Sequence, residues 1–235
     1  MTFLKSLGLS RRNTDTSLIR RRSKCIRKFK FYFPGGFNGK KYMAWEREYK
    51  WNAHLGWQEK LNKAEFANLL KARSYEEITR RAVTLESKTN LLFSFEKMAL
   101  RDAVKDKEAA KLFAEGLFEY IYSKKNLPER FENFRDVIAA LPVKQTRVLT
   151  WPLLTVFGFI ADPVQHIFLK PVVTKKAAEK YGFEFQYSSK PNWQTYKSLL
   201  EFSDLIRKDI SKFRPKDMID IQSFIWVLGS EEYPD

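Results

Sequence analysis

From Ala44 to Leu228 apolar residues return every three or four positions between short polar or proline-containing breaks, a spacing that predicts one helix after another. Trp45, Tyr49 and Leu55 begin the first, with Trp51, Trp57 and Leu61 extending its apolar surface. Phe66, Leu69 and Leu70 mark a short second. Ser74-Tyr75-Glu76-Glu77 fits a capping box and opens a third, to about Glu86. Leu92, Phe95, Met98 or Ala99, and Ala103 place another over Thr89 to Val104. Asp106 caps a helix carrying Ala110, Phe113, Leu117, Tyr120 and Ile121. Pro128 starts the next, with Phe131, Phe134, Val137, Ile138 and Leu141 on one face, and Pro142 ends it.

The second half is less regular. Gln145 to Ile160 is apolar nearly all round, which predicts the most enclosed helix, kinked near Pro152 and broken at Asp162-Pro163. Thr174 caps a small helix through Lys180, stopped by Gly182. Phe183 to Tyr187 alternates with period two and is the one candidate extended segment. Asn192 caps a long helix bearing Trp193, Tyr196, Ile206, Ile210 and Phe213, and a last helix runs from Lys216 to Leu228. The expected fold is all-α, a single multi-helix domain with at most one short extended segment. The longest apolar run, Val148 to Ala161, falls short of the ~20 residues a spanning helix needs, so no membrane partner is expected.

Charge divides the chain. Residues 1–42 carry twelve of its 43 cations and one of its 28 acids, so they hold +11 of the +15 net charge; residues 43–235 hold +4. The expected organisation is a basic disordered tail over 1–42 and a helical domain over 43–235. Three readings of the tail stay open. It is a basic arm for phosphates or headgroups, an Arg-rich and acid-poor transit peptide, or an extension upstream of a true start at Met43. Cys25, the lone cysteine, lies in it, which excludes a disulfide framework and is compatible with a cytoplasmic chain.

No phosphate loop, zinc-protease motif or nucleophile elbow is present, and no cofactor or metal is expected. His54, beside Trp51 and Trp57, reads as a half-buried packing residue. The densest candidate constellation is Lys170, Thr174, Lys175, Lys176, Lys180 and Lys190, close to Phe183, Phe185, Tyr187 and Trp193. Cations that neutralise phosphates beside rings on which bases stack suit single-stranded DNA or a flipped base, and Thr174 at a helix start adds amides for one phosphate. The bland alternative is a solvated helix face over an aromatic core. In the last helix Asp220 stands among Met218, Ile219, Ile221 and Ile225, so it needs a partner: a cation such as Arg147, a helix terminus or a ligand. An internal polar network and a catalytic acid both satisfy that need.

Leu141-Pro142-Val143-Lys144-Gln145, followed by the enclosed helix, Asp162-Pro163-Val164-Gln165 and a short helix ending at Gly182, resembles the helix-hairpin-helix DNA glycosylases over about residues 130–182. The resemblance implies hairpin amides on a DNA phosphate, Lys144 as the hairpin lysine and Asp162 as the acid that assists loss of an extruded base. Val143 and Gln145 stand where that family has glycines. Phe168 to Thr174 with Asp217 to Val227 also resembles an uncharacterised bacterial all-helical family, over the whole body from Trp45. The functional expectation is a DNA-binding helical protein, of glycosylase-like hydrolase chemistry if an enzyme, in repair or defence against modified foreign DNA. Its alternative is a non-catalytic protein-interaction module.

Overall fold

Side chains that take up the first free amides mark where half of the described helices begin. A computed structural model of the chain describes the backbone of residues 4–144 and 147–235, with side chains from Thr16 on. Its helices are α1 (Leu4–Tyr32), α2 (Lys40–Tyr42), α3 (Glu48–Lys60), α4 (Lys63–Lys71), α5 (Tyr75–Ser87), α6 (Ser94–Ala103) and α7 (Lys107–Tyr122). They continue as α8 (Leu127–Ala140), α9 (Trp151–Ala161), α10 (Pro171–Tyr181), α11 (Trp193–Asp209) and α12 (Met218–Gly229). A π-helical turn, Met43–Arg47, joins α2 to α3. The all-α class is borne out, with no strand among the described residues. Phe183 to Tyr187 runs irregularly instead, tied to α11 by the Gln186 amide on Ser198 Oγ at 3.0 Å.

Asp106 and Asn192 cap α7 and α11 as expected, and Asn62, Asn126, Thr150 and Asp217 cap four more. Ser74 makes no side-chain cap, so the capping box expected at α5 does not form. The enclosed helix starts at Trp151 rather than Gln145. Pro152 thus sits in the first turn, where its missing N–H costs nothing and no kink follows. Every residue of α9 is buried, and α3, α5, α7 and α8 surround it. The other close pair is α10 on α12. A Cβ on Gly229 would lie 2.0 Å from the Val173 carbonyl oxygen, so only glycine lets these backbones meet.

A boundary at residue 42 does not appear, and the expectation of a separate tail is corrected to that extent. Phe29, Phe33, Phe37 and Tyr42 recur at helical spacing and are all buried in the common core. The Phe29 ring meets those of Phe37, Phe224 and Phe33 at 4.8, 5.2 and 5.5 Å. The domain reaches back at least to Leu18, whose side chain packs over Gly182. Counting charge hides this stripe, because Phe29 stands between Lys28 and Lys30 and Tyr42 follows Lys41. The side chains before Thr16, on which the arm and transit-peptide readings also rest, lie outside the described residues.

Candidate nucleic-acid interface

The expected lysine surface is not one surface. Pro171 starts α10 one residue after Lys170, which places Lys170 at the N-cap and Thr174 inside the helix rather than at its start. Thr174 is buried and holds no open amides for a phosphate. Lys170 is only 8 % exposed, donates to the Leu91 carbonyl at 3.1 Å and lies 3.4 Å from the Phe93 ring centroid. Burial pushes its ammonium pKa down, partly opposed by Glu96. Lys175 lies over the Tyr187 ring at 4.7 Å. Lys190 is exposed on the connecting loop, and Trp193 packs edge-on against Phe131 while its amide donates to Glu132. Residues 170–193 span α10, a loop and the start of α11, so lysines that are close in sequence face several directions.

Two of those lysines, Lys176 and Lys180, do share a face, being one turn apart, and that face meets α1. Between Thr16 and Tyr32 α1 has seven cations and no carboxylate. Arg21, Lys24, Arg27 and Lys28 recur at three- and four-residue spacing, which puts them on one side of the helix. Together with Lys176 and Lys180 they line a groove of about 920 Å³, six cations against Glu179 and Asp235. The Asp235 carboxylate bridges the two walls, accepting from Lys28 and Lys180 at 2.7 Å each. Bonds from Lys180 and Lys28 hold its pKa down to about 2. Lys176 pairs with the exposed Glu231 at 3.0 Å. Among the described residues Arg21, Lys24 and Arg27 have no carboxylate partner. Cys25 and Phe31 add an apolar floor and edge, and burial raises the thiol's pKa. The α1 residues are legible in the sequence as charge, and their three- and four-residue spacing is the signal that sets them on one side of a packed helix rather than in a tail.

The candidate acids have other duties. Asp162 closes the turn after α9: its Oδ1 accepts from the amides of Val164 and Gln165, and its Oδ2 from Gln165 Nε2 at 2.8 Å. Asp220 is fully buried, as expected of its apolar helix, and its partner is Arg47 rather than Arg147, which is exposed. Asp220 Oδ1 accepts from Arg47 and from the Tyr42 hydroxyl, both at 2.6 Å, and Oδ2 accepts from the Lys216 amide at 2.7 Å. Arg47 also grips Asp217 with both terminal nitrogens. Burial works against the guanidinium, but its bonds to Asp217 and the charge of Asp220 prevail and raise its pKa. Lys144 is exposed on the loop between α8 and α9, and Gln145 beside it lies outside the described residues. His54 is part-buried against Trp51, its Nδ1 2.9 Å from the Ile160 carbonyl oxygen.

No helix among the described residues is long and apolar enough to cross a membrane. Compared with protein-family models, with curated proteins and with solved structures, the chain matches none.

Proposed function

We propose that the protein binds nucleic acid, DNA in the first instance, by laying the phosphate backbone in the groove between α1 and α10. The observation that carries this reading is the groove itself, where three cations without carboxylate partners stand beside three more in a concave surface. Phosphate contacts of this kind position a polynucleotide without reading its sequence. Base excision does not enter the reading: both oxygens of Asp162 and of Asp220 are engaged in bonds that hold the fold. A helical protein-interaction module is the second reading. Its observation is the exposed, stacked pair of Phe93 and Phe95, with Met98 also exposed close by in sequence.

Fluorescence anisotropy of single- and double-stranded DNA with the full chain, over a series of salt concentrations, tests the proposal. Engagement of about three or four phosphates predicts that log K falls with log salt at a slope of roughly −3, from counterion release. Replacing Arg21, Lys24 and Arg27 by Gln together is expected to flatten that slope by about 2 to 3. The same change at Lys5, Arg11 and Arg12 is the control and leaves most of it. Binding that ignores salt favours the second reading. A groove variant that binds like its parent, or equal affinity for anionic vesicles, overturns the proposal.

A further inference from the structure

A second concavity, sharing no lining residue with the basic groove, opens between the π-helical turn, the Asn90–Phe93 loop and α12. Its volume is about 340 Å³, within the ~300–1,000 Å³ range of small-molecule sites. Its charges are Glu46, Lys50, Lys170 and Glu232. Glu232 lies at the exposed rim, accepting from Trp226 Nε1 at 3.1 Å, and the other three are unevenly satisfied. On one wall, Glu46 accepts from the Tyr233 hydroxyl at 2.6 Å and from Lys50 at 3.1 Å, and Lys50 also donates to Ser223 at 2.9 Å. That carboxylate is therefore neutralised in place and does not repel an incoming anion.

Lys170 is the opposite case. Its ammonium has three donors and one hydrogen bond, to the Leu91 carbonyl; the nearest carboxylate oxygen, on Glu96, is 3.9 Å away, beyond hydrogen-bonding distance. Glu96 is occupied elsewhere, accepting from the Phe93 amide at 2.9 Å. Glu96 balances the charge at 3.9 Å, and the Phe93 ring lies under the ammonium at 3.4 Å. Neither takes a hydrogen bond, so this nearly buried ammonium keeps donors for an acceptor in the cleft. Gln222 supplies a second deficit. It is 3 % exposed and lines the same cleft, and its Oε1 has no hydrogen-bond partner in the protein. The rim holds large flat rings: Trp45 is 57 % exposed with the Lys41 ammonium 4.4 Å from its ring centroid, Phe93 is stacked on Phe95 and lies against Lys170, and Trp226 stands between cleft and solvent.

We propose that this cleft binds a small organic anion carrying a flat ring. Its charged group meets Lys170, a ring N–H or hydroxyl answers the Gln222 amide, and its ring packs on the rim aromatics. Nucleoside monophosphates and aromatic carboxylates both have this chemistry, and neither depends on the polynucleotide groove.

Calorimetric titration of the full chain with adenosine and guanosine monophosphate, with indole-3-carboxylate and benzoate, and with inorganic phosphate alone tests it. One ring-bearing class is expected to bind with one-to-one stoichiometry, phosphate alone much more weakly. Lys170→Met is expected to lower that affinity about tenfold or more, the loss of a charge-assisted bond. Trp45→Ala, at an exposed rim position that the fold does not need, is expected to weaken it severalfold. The triple Gln variant of Arg21, Lys24 and Arg27 binds unchanged, which separates this site from the groove. The proposal is overturned if no ring-bearing anion binds below millimolar concentration, if phosphate alone binds equally well, or if Lys170→Met and Trp45→Ala both titrate like the parent.

Discussion

His166 shows how far a single residue's setting departs from its sequence neighbourhood. It follows an exposed turn, yet it is fully buried, with its Nδ1 3.1 Å from the Tyr120 hydroxyl and its Nε2 without a partner. Burial pushes its pKa down to about 4, with Asp162 working the other way and Arg130 reinforcing it. The unfolded chain takes up this proton near pH 6.5 and the folded chain only near pH 4. Stability is therefore full above about pH 6.5 and falls as pH drops toward 4, by about 2–3 kcal/mol from this group. Urea unfolding at pH 7.5 and 4.5 is expected to show a smaller decline for His166→Gln than for the parent; equal declines would rule the account out. Asp220 carries a related lesson. A carboxylate in so apolar a helix announces that it needs a cation, and that much was legible. Which cation was not, because Arg47 lies 173 residues away. Arg47→Met leaves two buried carboxylates without their shared partner, and thermal unfolding is expected to show a loss of about 3–5 kcal/mol.

At the level of elements, helix-forming periodicity and caps were readable where side chains act on their own backbone. Asp106, Asn192, Pro128 and Gly182 each sit where local chemistry requires them. Reading failed where a neighbouring element decides. The Phe183–Tyr187 segment alternates like a strand but finds side-chain hydroxyls of α11 instead of a second strand. Residues 18–42 look like a solvated basic segment until α10 and α12 supply a surface for their aromatic stripe. A chain begun at Met43 lacks Phe29, Phe33, Phe37 and Tyr42, and with Tyr42 one donor to Asp220. It is expected to lose its cooperative thermal transition by circular dichroism and to bind a hydrophobic dye. Phe29→Ala in the full chain, a milder form of the same lesion, is expected to cost about 3–5 kcal/mol. A Met43 chain that melts as sharply as its parent would show that α1 is an accessory.

Across the whole molecule, net charge was visible in the sequence and its location was not. Four of the groove's cations come from α1 and two from α10, about 150 residues later, with Pro234 and Asp235 beyond, so no window of sequence contains it. The five lysines that do share a window are divided among an interior wall, two faces of one helix and a loop. The same long reach closes the fold. Lys28 meets Asp235, the Tyr32 hydroxyl donates to the Pro234 carbonyl, and Tyr233 donates to Glu46, across separations of 207, 202 and 187 residues. The aromatic side of α1 is therefore covered only by α10, α12 and the residues after them, which lie about 150 to 200 positions later in the chain. A fold closed across such distances pays for long loops before the contacts that reward them, so its last step is expected to be slow, and α1 is the face most open to aggregation until then.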